Sequence, residues 1–271
     1  MPIEYNLSFT EEGDWQRWQC AHGGSLGAAT LKTCIETIKR NGITSRFFGH
    51  ISSDEIQILG SNYREKLLAR GLNSRQRATL ELLSGEAEAR SGAKTKIYAP
   101  EAVTSLALAL RARFPFFLGS EYAASPEEKE RLYPIQSEDL QALSLKSDAF
   151  DVVLTCDVLE HVPSLKACLR ELARVLKPGG VMISTHPFTW ATEHRVKAQV
   201  VEGEIIHLEE AEYHGNPIDP RGSLVFTVPG WRILEDCKQS GFASAEMLMI
   251  ASTRAGILGS DGFVNVLRAY K

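Results

Sequence analysis

Acidic residues and imidazoles recur along the second half of the chain at the ends of successive apolar runs. Glu121 closes PFFLGSEY (115–122), Asp139 closes IQSEDL (135–140), and Cys156-Asp157 closes FDVVLTCD. In a doubly wound sheet these positions fall at strand ends, where ligands bind. An acid after the second strand can accept hydrogen bonds from two ribose hydroxyls, and the next acid-bearing loop, Asp139-Leu140, can meet an adenine amino group. His161 and His186 follow the next two runs, and an imidazole titrates near neutrality, so each is a candidate to take a proton from a reacting group. The chemistry allowed is a nucleotide-like cofactor beside a proton acceptor. One stretch runs against it: KIYAPEAVTSLALAL (96–110) turns from strand to helix without a glycine, although glycine is the residue that lets backbone approach a ligand closely.

The elements that must position these groups read clearly from residue 95 onward, where short β-rich runs alternate with helical ones, the pattern of a parallel sheet with crossover helices. KIYAPE (96–101) is the first strand, followed by a helix with Val103, Leu106, Ala107 and Leu110 on one face. Val152, Val153 and Leu154 form a continuous apolar run, as a strand covered on both faces requires. Ser164 is the expected N-cap of the next helix, whose apolar stripe is Leu165, Cys168, Leu169, Leu172 and Leu176. Lys177 is expected in its last turn, Pro178-Gly179-Gly180 as its stop, and VMIST (181–185) as the next strand. WRILEDCKQSGF (231–242) reads as a helix stopped by Gly241, and MLMIAS and FVNVLRAY as a closing antiparallel pair. Residues 1 to about 62 are mixed, with a helix over 28–40 and a short strand or two in 47–59; a further helical pattern opens at Ser74 and ends near Ser91-Gly92. The fold class expected is α/β, a Rossmann-like doubly wound, mostly parallel sheet with an N-terminal extension (1–69) that acts as a helical lid.

Bulk properties narrow the partners. A formal net charge of −4 leaves no global field to draw nucleic acid or an anionic membrane, and neither is expected as a partner. Arg64, Lys66, Arg70, Arg75 and Arg77 are closely followed by acids and read as a solvated face rather than as contacts to a substrate carboxylate. Five scattered cysteines contain no C-x-x-C pair, which predicts reduced thiols, a cytoplasmic setting and no metal; Cys168 is expected in the core. The N-terminus lacks the pattern of a signal peptide, and no apolar stretch approaches the roughly 20 residues of a membrane span. Trp15, Trp18, Trp190 and Trp231 are read as packing residues before pocket residues.

The stretch DLQALSLKSDAFDVVLTCDVLEHVPSLKACLRELARVLKPGGVMIST (139–185) resembles the central region of class I S-adenosylmethionine-dependent methyltransferases, in the small-molecule "methyltransferase type 11"-like group. GSEY and GLNSRQRATL upstream extend the likeness, and EYHGNP (212–217) with GSLVF (222–226) resembles a branch whose first motif lacks glycine. The resemblance implies a class I methyltransferase domain over 70–271, an insertion at about 186–230, and S-adenosyl-L-methionine as cofactor. It implies cofactor contacts from Tyr98, Ala99, Glu101 and Thr104 in the first turn, from Glu121 and Tyr122, from Asp139 and Leu140 beside the adenine, and from Cys156 and Asp157 beside the methionine part. Glu101 would accept the cofactor's ammonium in a charge-assisted bond. His161 would lie near the transferred methyl group, with His186 as second candidate base, and Tyr213 and His214 would touch a small-molecule acceptor methylated on oxygen or nitrogen. An inactive methyltransferase-fold binding protein is the rival that the glycine-free turn suggests. A nicotinamide-dependent oxidoreductase is disfavoured by the missing G-x-G-x-x-G.

Overall fold

The computed structural model describes residues 3–23 and 26–271, and divides the chain into two compact units: Met1–Gly92 with Glu246–Arg268, and Ala93–Ala245 with Ala269–Lys271.

In the first unit, strand Glu4–Phe9 pairs antiparallel with Ser244–Ser252, from Glu4 opposite Ser252 to Phe9 opposite Met247. Helix Ala28–Asn41 buries Leu31, Cys34, Ile35 and Ile38, the stripe its period predicts. It stops at Gly42, where φ is +71° and a Cβ would lie 2.2 Å from the Ile51 carbonyl oxygen, so no side chain fits. Two short hairpins follow, Ile43–Ser45 with Gly49–Ile51 and Ile56–Ile58 with Leu67–Ala69. Helix Ser74–Ala89 opens on a capping box, with the Gln76 amide on Asn73 Oδ1 (3.0 Å) and the Asn73 amide on Gln76 Oε1 (3.1 Å). Its Arg77 corrects the reading of a solvated face: the side chain is 1% exposed and donates to the carbonyls of Leu67 (3.0 Å), Leu72 (2.5 Å) and Gly256, and to Ser74 Oγ (3.2 Å). Loop carbonyls take the place of water around the guanidinium, and burial lowers its pKa to about 9. Trp18 stacks on His22 and meets Phe9 and Phe263 edge-on, as a packing residue does.

The second unit contains β1 (Ile97–Ala99), α1 (Ser105–Arg113), β2 (Phe117–Glu121), α2 (Pro126–Leu132), β3 (Gln136–Ser137), β4 (Phe150–Cys156), α3 (Leu165–Val175) and β5 (Leu176–Thr185). The strands lie side by side in the order β5-β4-β1-β2-β3, every neighbouring pair parallel. This is the doubly wound arrangement expected from the alternating pattern. The order reverses between β1 and β4, so the connections on either side diverge and open a crevice at the carboxyl ends of the strands. Val152, Val153 and Leu154 of β4 are wholly buried, as are Cys168, Leu169 and Leu172 of α3. Ser164 caps α3, its Oγ accepting from the Ala167 amide at 3.3 Å.

Three boundaries differ from expectation. Helix α3 ends at Val175, where Leu176 turns to extended backbone, and Lys177, before Pro178, is kept out of the helical region. Leu176 instead pairs with Phe150, and Lys177 places Nζ 2.6 Å from Asp151 Oδ1. Strand β3 is only two residues long, so Asp139 lies beyond it in a turn. Val103 precedes α1 and is exposed, since Thr104 is the helix cap. The segment after β5 forms short antiparallel ladders, among them β6 (Tyr213–His214) with β7 (Ser223–Leu224). Helix α4 (Ile233–Gln239) follows, and Gly241 at φ +109° leads out of it. No helix among the described residues is long and apolar enough to cross a membrane.

Candidate functional site

The glycine-free turn is built against β2. Thr104 caps α1, its Oγ1 accepting from the Ala107 amide at 3.1 Å while its hydroxyl donates to Glu101 Oε2. Glu101 is buried, as are Ala99 and Ala102. At the end of β2, Glu121 is 8% exposed, and its Oε1 accepts from the amides of Ala102 (2.7 Å) and Val103 (3.2 Å). These bonds do for the turn what glycine does elsewhere: they fix its backbone close to the neighbouring strand. Burial raises the Glu121 pKa, against the two amides and Arg111, which lower it. The close approach has its glycine after all, on the other partner. A Cβ at Gly119 would lie 2.6 Å from the Glu101 carbonyl oxygen and 3.2 Å from Ala102 Cα. Gly119→Ala is therefore expected to lower unfolding free energy by about 1–3 kcal/mol, measured by urea denaturation, because backbone rather than a flexible side chain must yield.

Tyr98, in β1, is wholly buried, with its hydroxyl 2.9 Å from Ser120 Oγ and its ring against Phe150. Tyr122 is exposed. Asp139 Oδ1 accepts from the Gln141 amide at 2.8 Å, a local turn that leaves Leu140 buried. Beside it, Glu138 ties the loop shut by accepting from the Ser144 amide (2.7 Å) and hydroxyl (2.5 Å). Cys156 is buried at the end of β4, and Asp157 adopts a φ of +54° as its amide donates to the Thr185 carbonyl at 2.8 Å. Left-handed backbone in a non-glycine residue is tolerated best by Asn and Asp, and it re-aims the chain as it leaves the strand.

Beyond that turn, His161 and His214 come together, their rings 4.9 Å apart and edge to face. Between them lies Glu160, in the short 3-10 turn Leu159–His161, with a side chain 0% exposed. Glu160 Oε1 is 3.4 Å from His214 Nδ1 and 3.6 Å from His161 Nε2, and no backbone amide or hydroxyl donates to the carboxylate. His161 Nδ1 is 2.8 Å from the Leu224 carbonyl, which holds hairpin β6/β7 over the turn. The Glu160 carboxylate, and then that of Glu212, raises the His214 pKa against the opposing effect of burial. His186 stands outside this cluster: it is buried, 3.4 Å from Ser184 Oγ, and packs near Phe188. Phe188 in turn meets Trp190 and Trp231 edge-on, so those two tryptophans form a packed aromatic group. Tyr213 is exposed. Glu160 is the residue that sequence reasoning passed over; its signal was a lone carboxylate inside the apolar run VLEHV.

Residues 118–184, running from β2 almost to the end of β5, match the family model described as a methyltransferase domain. Over 73 residues the chain is 32% identical to the ubiquinone biosynthesis O-methyltransferase of Chelativorans sp. (strain BNC1), covering 24% of this chain and 29% of that protein. The chain thus spans less than a third of that relative's length. Among solved structures, an S-adenosylmethionine dependent methyltransferase from Mesorhizobium loti is similar at 18% identity and a TM-score of 0.43, covering 65% of this chain and 91% of that one. CalS10, an amino pentose methyltransferase from Micromonospora echinaspora, is similar at 16% identity and a TM-score of 0.44, covering 74% and 92%. Residues 118–184, which match the methyltransferase-domain model, thus lie within the doubly wound strands β2 to β5.

Proposed function

We propose that the protein transfers a methyl group from S-adenosylmethionine to an oxygen or nitrogen of a small-molecule acceptor. The observation that supports this most is the Glu121 carboxylate, held at the end of β2 by two amides of the first turn while its Oε2 accepts none of these bonds. The turn thus fixes the acid without using it up, and Oε2 suits ribose hydroxyl donors. Asp139 and Leu140 would flank the adenine, Glu101 would oppose the ammonium, and Asp157 would border the methionine part. Bound S-adenosylmethionine supplies a methyl group on a sulfonium, a good leaving group. The protein's own task is to align the acceptor and to draw off its proton, which we assign to the His161 side of the crevice.

The pH dependence of binding tests this. Ribose hydroxyls donate to an ionised carboxylate, and Glu121 titrates above its ordinary 4.5. Affinity for S-adenosylmethionine is therefore full at neutral pH and falls as pH drops through that raised value, and Glu121→Gln flattens the curve. A wild-type curve that stays flat down to pH 4.5 counts against the assignment. A second reading, a methyltransferase-fold binding protein that takes no cofactor, draws on the same two amides seated on Glu121 Oε1. It predicts no binding at any pH.

A further inference from the structure

Glu160 sets a problem in charge. Its carboxylate is wholly buried, no backbone amide or hydroxyl donates to it, and the atoms that face it are two imidazole nitrogens. Those nitrogens are not free to act as donors in the neutral rings. His161 Nδ1 is 2.8 Å from the Leu224 carbonyl, which can only accept, so the proton sits on Nδ1 and Nε2 turns a lone pair towards Glu160. His214 Nε2 is 3.2 Å from Glu212 Oε1, which fixes its proton there and turns the Nδ1 lone pair towards Glu160 as well. A carbonyl behind one histidine and a carboxylate behind the other is the outer-shell arrangement that orients metal-ligating imidazoles. One atom from each of Glu160, His161 and His214 lies within 4.8 Å of the other two. A tetrahedral ion with ligands at about 2.0–2.2 Å has ligand edges of about 3.4 Å. The two histidine contacts to Glu160 Oε1, at 3.4 and 3.6 Å, already match that edge.

We propose that Glu160, His161 and His214 form a binding site for a single divalent transition-metal ion. Two imidazoles and one carboxylate are borderline ligands that suit zinc, cobalt or iron(II) better than magnesium, which prefers an all-oxygen shell. Three protein ligands leave at least one position open, and the half-buried His214 keeps it accessible. If the methyl-transfer reading holds, the open position suits a hydroxyl oxygen of the acceptor: the ion would lower that hydroxyl's pKa so that its proton passes to solvent water, with His161 serving as ligand rather than as base; the metal site itself does not depend on that reading. It also departs from the sequence-based expectation of no metal, which weighed paired cysteines alone.

The test is a titration of the full chain, stripped with EDTA and dialysed, with Zn2+ by calorimetry and with Co2+ by visible absorption, in the absence of any cofactor or acceptor. The expected result is one ion per chain at micromolar affinity or tighter, with Co2+ bands of a low-coordinate site. His214→Ala is the deciding variant, because the residue lies on a half-exposed hairpin and its loss leaves the fold intact by circular dichroism. It should weaken binding at least about tenfold, and Glu212→Gln, behind it, should weaken binding in the same direction. Glu160→Gln should do so if it folds. Failure of the wild type to bind one ion, or equal affinity in His214→Ala, overturns the site and leaves a protonated His214 as the countercharge to Glu160. Because no methyl donor is present, either result is independent of whether the protein is a methyltransferase.

Discussion

Glu121→Ala weakens S-adenosylmethionine binding by about 1–3 kcal/mol, roughly 5- to 150-fold in dissociation constant, with the loss at the upper end of that range. Two effects act together. The substitution removes the acceptor assigned to the ribose hydroxyls, and it orphans the amides of Ala102 and Val103, which donate to Oε1. Ala102 is buried, so its amide has no ready replacement in water, and the first turn loses the contact that fixes its backbone. Glu121→Gln separates the two, since its amide oxygen still accepts from the turn while the charge is gone. It is expected to fall between wild type and Glu121→Ala. Equal affinities for all three, measured by calorimetry, remove Glu121 from the site.

His161→Ala lowers turnover about a hundredfold to ten-thousandfold while leaving cofactor affinity close to wild type. The split follows from position. His161 lies beyond the turn that leaves β4, in the cluster with Glu160 and His214, while the groups assigned to the cofactor are at the ends of β1 to β4. Its bond to the Leu224 carbonyl gives the structural alternative, in which the ring only pins hairpin β6/β7. In that case thermal stability drops and turnover per folded molecule does not. A fall in turnover with unchanged cofactor dissociation constant and unchanged circular dichroism distinguishes the chemical role.

Much of the frame was legible because periodicity and caps are local. Val152 to Leu154, the stripe from Leu165 to Leu172 and the Ser164 cap all depend on neighbours within a few residues, and the parallel order follows from them by the crossover rule. What escaped depends on residues distant in sequence. Arg77 reads as a surface cation until the carbonyls of Leu67, Leu72 and Gly256 are brought around it. Thr104 reads as a contact in the cofactor turn, and its hydroxyl proves to cap α1. Gly119 looks incidental in PFFLGSEY, yet it is the glycine that lets the turn approach β2. Glu160 gains its meaning only when hairpin β6/β7 carries His214 back to it, a tertiary contact that no spacing in VLEHV encodes.

The crevice at the ends of β1 to β4 is expected to bind S-adenosylmethionine despite its glycine-free first turn. Calorimetric titration of the full chain with S-adenosylmethionine and with S-adenosylhomocysteine tests it most directly. The expected result is one site per chain with a dissociation constant tighter than ~100 μM, about 5.5 kcal/mol, for both ligands. No heat with either ligand, at protein concentrations that detect such binding, contradicts it.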